Sequence, residues 1–335
     1  MVPMVRKTPR GRRWHSGGMR LSVLDRANSL TGDSDATALR RVVEHARDVE
    51  KLGFSRFLVA EHHAVPGLPG SQPGMLAMAC AAVTSDIRIG TAGIMLPDHQ
   101  PLIVAEQIAT LEALHPTRID AGIGSSLGFT APVRKALRQG DVAELQARYP
   151  DDLRELLGYL AGSGAVTARP QPGGTPVWLL AGFRSALLAA ELGLGVILGG
   201  PDQVAAARLY RENFRPGLID APSVILSANV AVASSGAAAR DLLLPEAFAQ
   251  ARARTTGSFD PLLPLADLPE PTAQERRRMA ETLRTSVYGE AGDVEKQLQE
   301  LLDAAGAEEV LVTGGMSDLA GRAESERLLA GMISG

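Results

Sequence analysis

Three short stretches carry residue types that could do chemistry. In Glu61-His62-His63 a carboxylate stands beside two imidazoles. Histidine titrates near neutral pH, so either ring suits a general base or a hydrogen-bond donor. Adjacent residues of an extended segment point to opposite sides, and no third ligand follows at a known zinc spacing, so no metal site is expected here. Ala181-Gly182-Phe183-Arg184-Ser185 joins a strand pattern to a helix pattern. Gly182 permits close backbone approach, a helix N-terminus presents free N–H groups, Ser185 can donate to an anion and Arg184 carries full charge. The competing reading is a plain helix cap. Gly90-Thr91-Ala92-Gly93-Ile94-Met95-Leu96-Pro97 is an apolar strand with small residues at its centre. It suits either a flat ring lying on the backbone or simple packing.

The elements that must position these residues alternate in type. Apolar and β-branched runs at 20–24, 56–60, 87–95, 119–123, 177–180, 195–198, 223–232 and 309–312 read as eight strands. Between them lie helical stretches at 37–52, 74–84, 103–114, 151–160, 184–192, 201–214, 236–249 and 293–305, with a last one at 319–332. In the first of these, Leu39, Val42, Val43, Ala46, Val49 and Leu52 fall at helical spacing and Gly53 stops the run. Pro245 is expected to break or kink its helix. Residues 255–271 are Pro-rich and show no period. Parallel strands need helical crossovers, and eight such units can close into a (β/α)8 TIM barrel. An open doubly wound sheet would place a glycine-rich loop after the first strand, which residues 24–33 lack; Gly122-Ile123-Gly124 has no third glycine. The expectation is one α/β barrel domain over 20–335, with its site at the strand C-termini.

Bulk properties narrow the function classes. The 335 residues include 34 Lys and Arg against 38 Asp and Glu, a net charge of −4, which gives no footprint for nucleic acid. No run reaches the ~18 apolar residues of a membrane span. Residues 1–19 are rich in Arg, Gly and Pro without an apolar core, so they read as a disordered leader, not a secretory signal, with a basic contact arm as the alternative. The single cysteine, Cys80, lies in an apolar run and reads as a buried thiol in a cytoplasmic protein.

Taken together, Leu58-Val59-Ala60-Glu61-His62-His63, the stretch from Arg88-Ile89-Gly90 to Leu96-Pro97, and Val104-Ala105-Glu106-Gln107 leading to Leu111-Glu112-Ala113-Leu114-His115-Pro116 resemble the bacterial luciferase-like flavin monooxygenases. The resemblance runs from Arg20 nearly to the C-terminus, and the subgroup it suggests is the oxygenases of antibiotic pathways. It implies reduced FMN as co-substrate, or the deazaflavin F420 in a dehydrogenase branch. Oxygen would pass through a C4a-peroxyflavin to an apolar, polyketide-type substrate, a separate flavin reductase would supply the cofactor, and the chain would be a homodimer. A flavin-binding protein without catalysis is the remaining alternative. By the same resemblance His62 is the catalytic base or peroxide-stabilising group, with Glu61 beside it at the cofactor. Ala92-Gly93 is a cis-linked pair under the flavin ring, and Gly182, Arg184 and Ser185 hold the phosphate together with Ser125. Luciferases carry a cysteine–arginine pair where Gly124-Ser125 stands here, so Arg184 is assigned the missing charge. Residues 255–271, with Phe259, take the place of the family's lid.

Overall fold

The computed structural model describes residues 19–171 and 173–333. The strands are β1 (Leu21–Asp25), β2 (Arg56–Val59), β3 (Arg88–Thr91), β4 (Ile94–Met95), β5 (Ile119–Gly124), β6 (Val177–Ala181), β7 (Gly195–Gly199), β8 (Val224–Val232), β9 (Val287–Gly289) and β10 (Glu309–Thr313). All pair in parallel in the order β1, β2, β3, β5, β6, β7, β8, and β10 pairs with both β8 and β1, which closes an eight-staved barrel. The third stave is β3 followed by β4, separated by a cis peptide between Ala92 and Gly93. β9 is a short extension on the last residues of β8. The eight expected strands are the eight staves; the third is interrupted where continuity was expected.

The helices are α1 (Asp35–Lys51), α2 (Pro73–Ala82), α3 (Pro101–Leu114), α4 (Ala131–Ala136), α5 (Val142–Leu160), α6 (Phe183–Leu192), α7 (Gln203–Asn213), α8 (Gly236–Thr256), α9 (Ala273–Arg284), α10 (Ala291–Ala305) and α11 (Leu319–Ile333). Ser34 caps α1 by accepting from the Thr37 N–H, and the helix buries Ala38, Val42, Ala46 and Val49. Strand residues alternate. Val23, Phe57, Val59, Ile89, Val310 and Val312 pack outward with α1 and α2, while Leu24, Leu58, Trp178, Ile197, Ile225 and Leu311 fill the bore. Cys80 is buried on α2, and burial, then the charge of Asp25, pushes its thiol up to about 12, so it is an inert core group.

Three expectations change. Helix α8 runs through Pro245, which is itself buried. Helices α4 and α9 and strand β9 were not expected from the pattern. In the 255–271 stretch, Phe259 and Leu262 are buried against Leu68, Ala249 and Ala253. Leu262 and Ser29 share a backbone hydrogen bond of 2.8 Å, and the Gly67 N–H donates to Phe259 O at 2.8 Å. Phe259 is therefore committed to packing within this cluster. The leader reading of 1–19 lies outside the described residues except for Met19, whose N–H donates to Met332 O at 3.2 Å.

A buried histidine ties α1 to the first stave and the last helix. His45 Nδ1 lies 2.6 Å from Asp25 Oδ2 and its Nε2 lies 2.8 Å from Glu326 Oε1. Both nitrogens can donate only in the imidazolium. Burial alone would push His45 down, but Glu326 and the hydrogen bonds to both carboxylates outweigh burial and Arg322, leaving its pKa above 6.5. Asp25 would be raised by burial, yet the hydrogen bond and charge of His45 hold it down to about 2. The His45 contribution is therefore complete below its unfolded value of 6.5 and is lost as pH rises through its raised folded value. The Asp25 contribution is present above 3.8 and is lost as pH falls toward about 2. Thermal unfolding should give a stability plateau that falls on both sides. His45→Gln should lose the alkaline slope and about 3 kcal/mol of stability; an unchanged alkaline slope would contradict the assignment.

Candidate active site at the barrel mouth

The residues following each stave gather at the C-terminal end of the barrel, as the barrel architecture requires. After β2 the chain continues through Ala60 and Glu61 to His62. The His62 N–H donates to Gly70 O at 3.0 Å, which fixes its backbone, while its Nδ1 is buried with no partner. Burial first, then the charge of Arg26, push His62 down to about 4, against the opposing pull of Glu61. The ring is thus neutral near pH 7 and has a buried nitrogen open to a ligand.

Glu61 and His63 turn to the other side of the segment. Glu61 Oε1 accepts from His63 Nε2 and from His99 Nε2, both at 2.7 Å, and Oε2 accepts from the Met95 N–H at 2.7 Å. Burial would raise Glu61, but these hydrogen bonds hold its carboxyl below the ordinary range. Both its oxygens are thus engaged by the protein. Asp98 joins the same cluster, its Oδ2 3.6 Å from His63 Nε2. Burial and the neighbouring Glu61 charge push Asp98 up to about 6, against the pull of His63. Asp98 and His99, which follow β4 in the next stave, stand among the strand-end residues where a barrel carries its site, but the sequence alone assigned neither a role.

The third stave brings Ala92 and Gly93 to the same end, both buried, joined by the cis peptide. A Cβ on Gly93 would stand 2.8 Å from Gly122 O and from Leu180 Cδ1, so this close approach requires glycine. Ser125 follows β5 and is half-buried. Gly182 is the N-cap of α6 and makes no side-chain cap, so the first N–H groups of that helix are left without one. Phe183 and Arg184 are exposed there and Ser185 half-buried, and a Cβ on Gly182 would meet nothing within 4 Å.

Across the mouth, Arg26 pairs with the buried Glu246 of α8, whose other oxygen accepts from the Gly315 N–H at 2.6 Å. Asn28 Nδ2 and Thr313 Oγ1 are buried without partners on this side, as His62 Nδ1 is on the other. Orphaned polar atoms carry a desolvation cost, and three of them at this end of the barrel make it the candidate binding site. A separate cleft of about 700 Å³ opens between α8, α10 and α11, lined by Asp241, Leu242, Glu290 and Asp318, away from His62.

Similarity to known proteins agrees with this geometry. A profile of the luciferase-like monooxygenases matches residues 19–314. A luciferase-like monooxygenase of Escherichia coli K12 is 33% identical over 320 residues, spanning 92% of this chain and 95% of its own. An N-acetyl-S-alkylcysteine monooxygenase of Bacillus subtilis is 35% identical over 217 residues, spanning 59% of this chain and 64% of its own. The solved structure of apo-MsnO8 superposes with a TM-score of 0.83 at 34% identity, covering 94% of this chain and 98% of that one. The chain belongs to the luciferase-like monooxygenase family and is an oxidoreductase of that family.

Proposed function

We propose that the protein uses reduced FMN and O2 to place one oxygen atom on an apolar organic substrate of polyketide type, the second oxygen leaving as water. The observation that carries this reading is the unpartnered, buried Nδ1 of His62 at the mouth of a luciferase-like barrel. The residues present fit the cofactor. The uncapped N-terminus of α6 with Gly182, Arg184 and Ser185, supported by Ser125, offers N–H groups, hydroxyls and a charge to a phosphate. Ala92 and Gly93 offer a side-chain-poor backbone for the ring.

When bound in its reduced form, FMN supplies the two electrons that activate oxygen. The chain's own part is to orient, exclude water and handle a proton. His62, neutral and desolvated, accepts or donates a hydrogen bond at Nδ1 toward the reacting oxygen. Arg26, held by Glu246, keeps positive charge nearby. A separate reductase delivers the cofactor, and the setting is the cytoplasm; no helix among the described residues is long and apolar enough to cross a membrane. Exposed Met75 on α2 and Ile103 on α3 support a homodimer through these helices.

Four tests bear on this reading. Protein mixed anaerobically with reduced FMN and then with O2 should reoxidise the flavin more slowly than free flavin does. His62→Ala should abolish that delay and cut oxygenation by about 10²-fold while releasing more hydrogen peroxide. Reoxidation at the free rate, or turnover with reduced F420 alone, would move the assignment to a flavin binder or to a dehydrogenase. Arg184→Ala should weaken FMN binding by about tenfold, and unchanged affinity would remove Arg184 from the phosphate site. Met75→Arg together with Ile103→Asp should yield monomers by sedimentation; dimers that survive both changes would place the interface elsewhere.

A further inference from the structure

We propose that Glu61, His63, Asp98 and His99 form a binding site for one divalent transition-metal ion, Zn²⁺ being the first choice. Two imidazoles and two carboxylates match the donor set of a four-coordinate zinc site. The segment after β2 supplies Glu61 and His63, which as i and i+2 point to one side, opposite His62. The turn after β4 supplies Asp98 and His99. One oxygen and two ring nitrogens from Glu61, His63 and His99 lie within 4.8 Å of one another.

The fourth donor is an independent observation. The Asp98 side chain is 0% exposed, its Oδ2 has no hydrogen-bond partner, and it faces His63 Nε2 at 3.6 Å. A buried carboxylate oxygen left without a hydrogen bond beside an imidazole is unusual. With metal–ligand distances of about 2.0–2.1 Å, tetrahedral geometry separates neighbouring ligand atoms by about 3.3 Å. Three of the six ligand-atom pairs stand at 2.7, 2.7 and 3.6 Å, and each of these must change by roughly half an ångström. Rotation of the side chains about their terminal torsions accomplishes a shift of this size.

Both carboxylates also have outer contacts. The Met95 N–H holds Glu61 Oε2 at 2.7 Å, and Gln139 Nε2 donates to Asp98 Oδ1. Without metal, each Nε2 donates toward Glu61; a bound ion takes the place of those protons, and each neutral ring then carries its one proton on Nδ1. Four protein ligands leave no open position, so the ion is structural. It would pin the β2 and β4 ends together, on the side of the segment opposite His62.

The test is calorimetric titration of chelator-treated, flavin-free protein with Zn²⁺, and with Co²⁺ followed by visible absorbance. Expected are one equivalent per chain, the absorption of four-coordinate Co²⁺, and a Zn²⁺-dependent rise in Tm. His99→Ala and the milder His63→Gln should each weaken binding by at least ~100-fold, the upper end of what loss of an outer contact alone does. His115→Ala, on the far end of α3, should bind as the parent does. Less than half an equivalent in the parent, or binding that both His99→Ala and His63→Gln leave intact, would overturn the site and leave the cluster a proton-held network. Should His99→Ala not fold, His63→Gln decides.

Discussion

A closed parallel barrel has to fill its own bore, and this one fills the N-terminal end with charge. Arg56, first residue of β2, donates to Asp120 of β5 at 2.6 Å and to Glu309 of β10 at 2.8 Å, both across the bore. Arg88 reaches Asp120 at 2.7 Å, Arg20 reaches Glu309 at 2.7 Å, and the Trp178 indole N–H reaches Asp120 at 3.1 Å. The Trp178 ring lies 4.9 Å from the Arg56 guanidinium. Burial would raise Asp120, but Arg56 and Arg88 hold it down to about 2, and the carboxylates of Asp120 and Glu309 in turn raise Arg56 against its own burial. Such a network gains little over an apolar plug in net stability, yet leaving any member unpaired is costly. Its consequence is specificity: β10 must sit between β8 and β1 for Glu309 to meet Arg56 and Arg20.

Register propagates upward from that plug. Once the polar layer is set, alternation puts Leu58, Ile197, Ile225 and Leu311 in the next layer and leaves Gly93, Gly124 and Asn229 near the top. Glycine at this level is a packing demand as well as a binding feature. A Cβ on Gly122 would stand 2.1 Å from Thr91 O, so the third and fourth staves approach more closely than any side chain allows. The interruption of the third stave at Ala92-Gly93 and the tight contact beneath it belong to one piece of geometry. The unpartnered atoms of the mouth follow, because strand ends carry inward-facing polar residues that nothing in the bore can satisfy.

How far this was legible in the sequence depended on whether a residue's role is local. Strands covered on both faces read as apolar runs, which is why all eight staves stand out. Helix α1 declares itself through Val42, Ala46 and Val49. Helix α9 does not, because Arg276, Arg277, Arg278 and Glu281 leave its buried stripe to Met279 and Leu283. Its sign was the capping box of Thr272 and Glu275. Pro245 misled, because a rule for isolated helices gives way where tertiary packing buries the proline. In the site, His62 and the α6 N-terminus could be found from their place after strands. The packing of Phe259 could not be foreseen, since its partners Leu68 and Ala249 lie apart from it in the chain.

The same distinction explains why the Glu61 cluster stayed hidden. Glu61 and His63 lie together in sequence, but His99 is 38 residues away and meets them only because β2 and the third stave are neighbours. A motif search weighs spacing along the chain, whereas a barrel assembles sites from spacing around the bore. Strand alternation then gives the two imidazoles after β2 different work. His62 turns its buried, unsatisfied nitrogen to one side, and His63 is drawn by Glu61 and Asp98 to the other. A reacting group needs a ring whose orientation does not drift, because misplacement by an ångström costs catalysis heavily. The backbone of His62 is held by Gly70 and its neighbours on both sides are fixed by the cluster, so the ring faces the mouth from a braced segment. Glu61 thus braces the segment from the side opposite His62.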